Sequence, residues 1–263
     1  MSDDRKLPAP ARPSATIMLV RDGADGIEIF MVKRDRMVDL ASGALIFPGG
    51  KVEEDDANVE IPWGTSLFGP EPKYWIAAVR ETFEEAGVLI AAREGDPDVV
   101  EEAVARVLEE RHRVALNAKT MKFSEFMRQH DLVPAFDHMV HFAHWTSPET
   151  LAKRFDTHFF LVEMPDGQLA EHDGSEAVSS AWCKPADLLS DAESGREFLV
   201  PATRLNIELL SESRTVREAM AAARARTAPE VMPVLRKDER GVRAVIPADA
   251  GYKTTEVFVS KAG

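Results

Sequence analysis

The segment from Pro72 to Gly87 constrains the fold most, because its pattern predicts one helix with two opposite faces. Proline suits the first turn of a helix, and glycine suits its C-terminal end. At 100° per residue, Glu81, Glu84 and Glu85 fall within an arc of about 100°. The opposite arc carries the side chains that a core would take up: Ile76, Val79, Thr82, Phe83 and Ala86. One side of this helix is therefore built to be buried, and the other presents a dense carboxylate patch.

The carboxylate patch has two interpretations. The first is the solvated face of an amphipathic helix, which is the usual role of a charged cluster. Against it, Glu81 and Glu85 are like charges four residues apart, which repel each other. The second is a site for Mg²⁺ or Mn²⁺, hard cations that bind a few oxygen ligands and keep positions for water and phosphate. A Gly-Gly turn at Gly49–Gly50 and an acidic segment before the helix favour the second interpretation.

Strand and turn signals on both sides of this helix indicate the rest of the fold. Gly-Ala-Asp-Gly joins two β-rich runs, which predicts a hairpin. The predicted strands are 15–22, 27–35, 44–47, 138–145, 156–164 and 177–184, the further helices 98–115, 123–131, 202–212 and 214–226, and a second hairpin 231–247. Strands followed by a mixture of strands and helices favour an α/β or α+β sandwich with helical additions.

The turn and the helix resemble the two halves of the Nudix box. That box reads G, five residues, E, seven residues, then REUxEExGU, where U is apolar. Residues 80–88, RETFEEAGV, match the second half, and FPGG, which ends at Gly50, is similar to the first half. The chain departs from the box at Thr82, at Asp56 in place of the first glutamate, and in a spacer of 23 residues before Arg80. The long spacer predicts a loop insertion and a weakened role for Asp56.

The resemblance to the Nudix hydrolases implies both a fold and a site. The implied fold is a Nudix α/β/α sandwich with a mixed sheet. The implied ligands of Mg²⁺ or Mn²⁺ are Glu81, Glu84 and Glu85, with a carbonyl group of Gly49 or Gly50 as a further ligand. Arg80 would orient the carboxylates through a salt bridge. Bound metal makes such an acidic pocket favourable for an anionic diphosphate, at whose phosphorus water attacks.

The remaining candidate residues are a general base and cations for phosphate. In Nudix hydrolases the base is usually one further glutamate, and Glu176 is the first candidate here, with Glu171 the second. The candidate phosphate-binding residues are Lys33, Arg34, Arg36 and Arg154. Arginine is favoured because it can bind phosphate with two parallel hydrogen bonds. The alternatives are a loop surface for the glutamates and ordinary solvation of strand ends for the cations.

The long insertion, FPGG, RETFEEAGV and the downstream RFDTHFF (154–160) resemble one branch of the superfamily, the nucleoside-diphosphate-linked moiety X motif 19 enzymes. This branch implies hydrolysis of coenzyme A (CoA) and acyl-CoA to 3′,5′-ADP and (acyl-)4′-phosphopantetheine. Four aromatic residues would then line an adenine or acyl pocket, or else anchor the loop: Trp63, Phe68, Tyr74 and Trp75. Two alternatives stay open. One is a pyrophosphatase for ADP-ribose, nucleotide sugars or another nucleoside diphosphate compound, and the other is a non-catalytic ligand-binding or regulatory module.

Charge and apolar content indicate which partners to expect. The net charge of −13 argues against nonspecific binding to nucleic acid or to anionic membranes. The sequence contains no run of about 18 apolar residues, so it predicts no membrane span. The single cysteine, Cys183, excludes an internal disulfide, and the N-terminus lacks an apolar signal segment, so the expected setting is cytoplasmic. The expected partner is a small-molecule diphosphate, and a homodimer is one expected form, as is common among Nudix proteins.

The pattern also predicts how the chain is divided. We expect a flexible tail over 1–14 and a single domain over 15–263. Within that domain, the predicted additions are an insertion in the box at 57–72, a helical insertion at 97–131 and a C-terminal extension at 196–263.

Three histidines in the run 138–145 raise the question of a zinc site. His138, His141 and His144 are spaced by three residues. A regular strand points successive members of such a series to opposite faces. The spacing therefore predicts that these histidines do not converge on one ion.

Overall fold

A computed structural model describes residues 8–34, 43–174 and 177–261. Six α-helices lie in these ranges: α1 Pro72–Ala86, α2 Glu102–Asn117, α3 Phe123–Gln129, α4 Pro185–Ser194, α5 Pro201–Leu210 and α6 Val216–Ala225. The first strands are β1 Ala11–Gly23, β2 Gly26–Arg34, β3 Leu45–Ile46, β4 Gly49–Lys51, β5 Ala91–Arg93 and β6 Leu132–Pro134. The later strands are β7 Met139–Thr146, β8 Arg154–Glu163, β9 Ala177–Cys183, β10 Glu230–Val231, β11 Val234–Asp238, β12 Gly241–Val245 and β13 Glu256–Lys261.

The central element is an eight-stranded mixed sheet. Its order is β10-β7-β8-β1-β2-β3, and β4 pairs with β1 while β9 pairs with β2. The β1–β8 and β10–β7 pairs are parallel, and the other pairs in this sheet are antiparallel. The predicted first hairpin is confirmed, since β1 and β2 remain paired up to Gly23 and Gly26 on either side of a two-residue turn. The second predicted hairpin is also confirmed as β11 and β12, to which β13 adds a third strand.

Helices cover both faces of the central sheet. One apolar core lies between the sheet and α1, α2 and α3, and it includes Ile17, Phe30 and Phe160. The second core lies on the opposite face, where α4, α5 and α6 and the β11–β13 sheet pack, and it includes Met18, Ile29 and Leu161. Neighbouring residues of one strand thus enter different cores, as the two-residue period of a strand requires. The predicted α/β/α sandwich with a mixed sheet is confirmed.

The first strand is longer than the sequence indicates. It begins at Ala11, so residues 11–14 belong to the sheet and not to the flexible tail predicted for 1–14. The reason is its partner, because Ala11 pairs in parallel with Arg154 and the pairing continues to Val20. Arg12, Pro13 and Ser14 interrupt the β-rich pattern, and a partner about 140 residues away holds them extended. The single domain over 15–263, with its three additions, stays a prediction. The first strand begins at Ala11, four residues before the predicted start of that domain.

Helix α1 has the bounds that its sequence predicts. Pro72 is its first residue, and Gly87 ends it in the left-handed conformation with φ 72°. This conformation favours glycine, which has no Cβ to clash. In the part of the chain that the structure describes, no helix is long and apolar enough to span a membrane.

Candidate active site

The Gly49–Gly50 turn and the acidic face of α1 lie against each other. The amide N–H of Gly49 donates to Oε2 of Glu85 at 2.8 Å. A Cβ placed on Gly50 would lie 2.4 Å from Oε1 of Glu81. Only a residue without a side chain allows this approach, because real Cβ atoms do not come this close to another heavy atom. The two halves of the box therefore meet through backbone and carboxylate, without an intervening side chain.

The acidic face of α1 is not a solvated surface. Glu81 is 9% exposed and Glu84 is 6% exposed. The C-terminal end of α2 covers Glu84, whose carbonyl oxygen accepts hydrogen bonds from Arg113 Nε at 3.0 Å and Asn117 Nδ2 at 3.2 Å. Of the two interpretations of this patch, the structure excludes a simple surface cluster, because surface clusters are not covered in this way.

Arg80 is the centre of a buried network of charges. Its side chain is 1% exposed and donates to Oδ1 of Asp56 from Nε at 2.8 Å and to Oδ2 from Nη2 at 3.1 Å. Its Nη1 donates to Glu81 at 2.8 Å and to Glu84 at 2.9 Å, and Nη2 also donates to the Lys51 carbonyl. Burial acts to lower the pKa of Arg80, but the carboxylates outweigh it and raise the pKa. Arg80 thus fixes the position of two of the three helix glutamates.

Asp56 is a member of this network, contrary to the weakened role that the long spacer predicts. It is fully buried within a 3₁₀ turn at Glu54–Asn58, and its Oδ2 also accepts from the Glu53 amide at 2.7 Å. The insertion follows Asp56 and leaves the segment from Gly50 to Asp56 at its usual length. The prediction was wrong because the length of the spacer does not show at which residues the insertion leaves and rejoins the domain. Burial raises the pKa of Asp56 against the opposing effect of Arg80.

Lys119 is a component of the site that no sequence pattern indicates. Its Nζ lies 2.9 Å from each carboxylate oxygen of Glu84 and 2.9 Å from Oε1 of Glu53. It directly follows the end of α2 in a left-handed conformation with φ 54°. A residue with a Cβ adopts this backbone conformation at a cost in free energy, so surrounding contacts must maintain it. The segment after α2 therefore contributes a cation to the carboxylates of Glu53 and Glu84.

The charges of this cluster do not balance. Four of its carboxylates, those of Glu53, Asp56, Glu81 and Glu84, contact two cations among the described residues, Arg80 and Lys119. Burial raises the pKa of Glu81 to about 7. The charge of Arg80 acts to lower this pKa, and the charge of Glu84 acts to raise it. Burial likewise raises the pKa of Glu84. Buried oxygen donors with excess negative charge are the environment that Mg²⁺ and Mn²⁺ require, so the donor set fits these ions.

Two of the predicted phosphate-binding cations are engaged elsewhere. Lys33 Nζ pairs with both oxygens of Glu197, at 2.8 and 2.9 Å. Arg154 is 8% exposed and donates to the carbonyl groups of Ser147 and Ala9, where it secures the beginning of the β1–β8 pair. The guanidinium of Arg154 is thus buried and hydrogen-bonded at this position, and the structure does not bring it to the helix glutamates.

The remaining predicted residues lie in or beside the gaps in the described chain. Arg36 and Glu176 lie outside the described residues, and of Arg34 only the backbone is described. Glu171 is exposed next to the C-terminal end of α1, where its amide donates to the Ala86 carbonyl at 3.0 Å. The general base and the contacts of Arg34 and Arg36 therefore stay predictions.

A large cavity among the described residues lies away from the carboxylates. It has a volume of about 1350 Å³, and its lining includes Trp63, Phe68 and Trp75 but none of the helix glutamates. Trp63 is 96% exposed and Phe68 is 85% exposed, so these two aromatic residues of the insertion do not anchor it on the domain. Tyr74 and Trp75 are buried members of α1.

Comparisons with known proteins identify the family of this chain. The family model of the NUDT19 Nudix domain matches residues 64–210, which is more than half of the chain and includes Arg80, the helix glutamates and Lys119. The acyl-coenzyme A diphosphatase NUDT19 of Xenopus laevis is 20% identical over 270 residues, with 86% of this chain and 71% of that protein covered. The protein of that name from Gallus gallus is 26% identical over 243 residues, with 73% and 62% covered. The chain thus spans less than two thirds of the chicken protein.

A solved structure gives the same result for the fold. The crystal structure of a NUDIX hydrolase from Alicyclobacillus acidocaldarius superposes with a TM-score of 0.63 at 25% identity, covering 81% of this chain and 96% of that one. Gly49, Gly50 and Asp56 precede the segment that the family model matches, and the contacts described above connect them to it. The chain therefore belongs to the NUDT19 Nudix domain family and is a Nudix hydrolase, an enzyme that acts on diphosphates.

Proposed function

We propose that this enzyme is a metal-dependent diphosphatase for CoA or acyl-CoA, which it cleaves to 3′,5′-ADP and (acyl-)4′-phosphopantetheine. The observation that carries the metal dependence is the buried cluster around Arg80, in which the carboxylates of Asp56, Glu81 and Glu84 outnumber the two cations that contact them, Arg80 and Lys119. The similarity to relatives named acyl-coenzyme A diphosphatase supports the substrate.

In this proposal Glu81, Glu84 and Glu85 hold Mg²⁺ or Mn²⁺, and the carbonyl group of Gly49 or Gly50 adds an oxygen ligand. When bound, such an ion polarises phosphoryl oxygens, neutralises the leaving group and lowers the pKa of a bound water. Arg80 is a positioning residue, because its hydrogen bonds to Glu81 and Glu84 set the carboxylates before a substrate arrives. The Gly49 amide does the same for Glu85.

Other parts of the chain complete the proposed site. Helix α2 and the residues after it cover Glu84 and keep bulk water from it, which strengthens the electrostatic interactions there. Glu176 is the proposed general base, and Glu171 at the end of α1 is the second candidate. A cytoplasmic setting, a homodimeric form and the absence of nucleic-acid and membrane partners stay predictions from the sequence.

A substrate panel tests the proposal directly. We expect CoA and acyl-CoA species to be cleaved with kcat/KM at least about tenfold above that for ADP-ribose or a nucleotide sugar, because a site built for one substrate leaves polar groups unpaired with another. The reactions contain Mg²⁺ or Mn²⁺, a chelator serves as the control, and mass spectrometry identifies the products. Faster turnover of ADP-ribose would contradict the CoA assignment. No turnover of any diphosphate would contradict the catalytic function and favour a ligand-binding module.

The position of Lys119 leads to a separate prediction about the metal. Its ammonium group contacts both carboxylate oxygens of Glu84, so a metal ion that binds Glu84 must compete with it for the same oxygens. Lys119→Met removes the charge and keeps the length of the side chain. We expect the variant to bind Mn²⁺ about fivefold more tightly, the scale of one partly exposed ion pair. Electron paramagnetic resonance of free Mn²⁺ measures this affinity.

Lys73→Met is a matched control for Lys119→Met. Lys73 also forms an ion pair with a glutamate, Glu71, but it lies in the first turn of α1, away from the helix glutamates. This control should leave the affinity for Mn²⁺ unchanged. Weaker binding of Mn²⁺ by Lys119→Met would show that Lys119 supports the metal site and does not compete with it.

A further inference from the structure

A second cluster of ionisable side chains lies on the sheet, under the first turn of α1. It contains His141 and His144 from β7 and Asp156 and His158 from β8, and the ring of Tyr74 packs against His158 with centroids 4.4 Å apart. Tyr74 and Glu81 are seven residues apart on α1, which places the cluster about 10 Å along the helix axis from the nearest box glutamate. The cluster is therefore separate from the candidate active site.

An irregularity in β7 creates this cluster. The register of β7 against β8 shifts between His141 and Ala143, so that His141 pairs with Phe160 and Ala143 with Phe159. The extra residue of such a bulge moves the following residues to the other face. His141 and His144 consequently share one face, and the prediction that they point to opposite faces is wrong. His138 does not join them, and its Nε2 lies 2.9 Å from the Pro97 carbonyl.

Three of these residues offer ligand atoms close enough for one ion. One ligand atom from each of His144, Asp156 and His158 lies within 4.8 Å of the other two. In the described ranges these are the residues that meet this criterion. Nε2 of His144 and Oδ1 of Asp156 are 2.5 Å apart and share a hydrogen bond.

Two neighbours orient the potential ligands from outside. The Tyr74 hydroxyl donates to Oδ2 of Asp156 at 3.0 Å, which leaves Oδ1 directed at His144. Nδ1 of His158 lies 2.9 Å from Nε2 of His141, so His141 fixes the ring of His158. Metal-binding histidines and carboxylates typically have such outer partners, which set the tautomer and the ring orientation.

We propose that His144, Asp156 and His158 form a second metal site, for a transition ion such as Zn²⁺ or Co²⁺. Imidazole nitrogen suits these ions, whereas the oxygen-only cluster on α1 suits Mg²⁺ and Mn²⁺. The rings of His144 and His158 are stacked, with centroids 4.0 Å apart. Binding therefore turns one ring so that the nitrogens converge, and it replaces the hydrogen bond between His144 and Asp156. The bound ion connects β7 and β8 beneath α1, which gives it a structural role.

Titration with Co²⁺ in excess Mg²⁺ tests this site in the full chain. We expect one equivalent of Co²⁺ to bind and to give the visible absorption of a nitrogen-ligated, low-coordinate ion, while Mg²⁺ occupies the oxygen cluster. The spectrum should persist in the Glu84→Gln/Glu85→Gln variant. The affinity should fall about 100-fold or more in His144→Ala and His158→Ala, and about tenfold or more in Tyr74→Phe, which removes only an outer partner.

His138→Ala is the matched control, because it removes a histidine of the same chain segment that is not in the cluster. This variant should keep the full Co²⁺ spectrum. An unchanged spectrum in His144→Ala would overturn the site. If the alanine variants do not fold, the wild-type titration decides, because a wild-type chain without Mg²⁺-resistant Co²⁺ absorption contradicts the proposal by itself. Neither outcome depends on diphosphatase activity.

Discussion

Replacing Glu84 or Glu85 by glutamine should lower kcat for diphosphate hydrolysis by about 10³-fold. Loss of one metal ligand removes several kcal/mol of stabilisation from a transition state whose charge the metal balances. Glutamine keeps the shape of the side chain and removes its charge. The melting temperature should change by only a few degrees, since Glu84 loses bonds to Arg80 and Lys119 but also loses repulsion from neighbouring carboxylates. Steady-state kinetics with Mg²⁺ and a thermal melt measure the two effects.

Glu60→Gln is the control for this comparison. Glu60 is an exposed acid in the box insertion, so its replacement should change neither kcat nor the melting temperature. Full turnover by Glu84→Gln or Glu85→Gln would show that these carboxylates are not metal ligands.

Replacing Arg80 by methionine should have the largest effect on stability. The change leaves Asp56 fully buried without its partner, and it removes the hydrogen bonds to Glu81 and Glu84. Breaking a buried ion pair from one side costs about 3–5 kcal/mol, because the remaining charge keeps its desolvation penalty. Urea denaturation should therefore show a free energy of unfolding lower by about that amount, with an unchanged slope.

The double variant Arg80→Met/Asp56→Leu separates this mechanism from a loss of packing. Once both partners are apolar, no uncompensated charge remains at Asp56, and such replacements are often neutral. We expect the double variant to recover a large part of the lost stability, which would appear as a coupling energy in a double-mutant cycle. Simple addition of two destabilising effects would contradict the account of Arg80 and Asp56 as an ion pair.

The parts of the fold that the sequence predicts are those with local signals. Helix α1 lies between a proline and a glycine, and the β1–β2 hairpin has a Gly-Ala-Asp-Gly turn, so both follow from neighbouring residues. The sequence patterns do not predict helix α4, the short β5–β6 pair or β13, although Pro185 and Gly195 mark both ends of α4. Ala11–Ser14 becomes strand because of β8, a partner far away along the chain.

The candidate site likewise combines residues that have a local sequence signal with residues that have none. The box pattern indicates Arg80 and the three helix glutamates, because consecutive helix turns place them together. Lys119 enters through the end of α2, and the histidine cluster depends on a strand irregularity. Neither feature has a local sequence signal, since each requires knowing which distant segments pack together. Asp56 was visible in the sequence, but its contact with Arg80 depends on where the insertion leaves and rejoins the domain.

The insertion between Asp56 and Pro72 means that chain connectivity is not what brings the two halves of the box together. Residues before the insertion form β1 to β4, of which β1 pairs with β8 and β2 with β9 from the remainder of the chain. The Arg80–Asp56 pair then joins the two portions at the site itself. A polypeptide cut within residues 61–69 would consequently yield two complementary fragments that remain associated through these contacts. A foreign sequence could likewise be inserted at this point without separating the Gly49–Gly50 turn from α1.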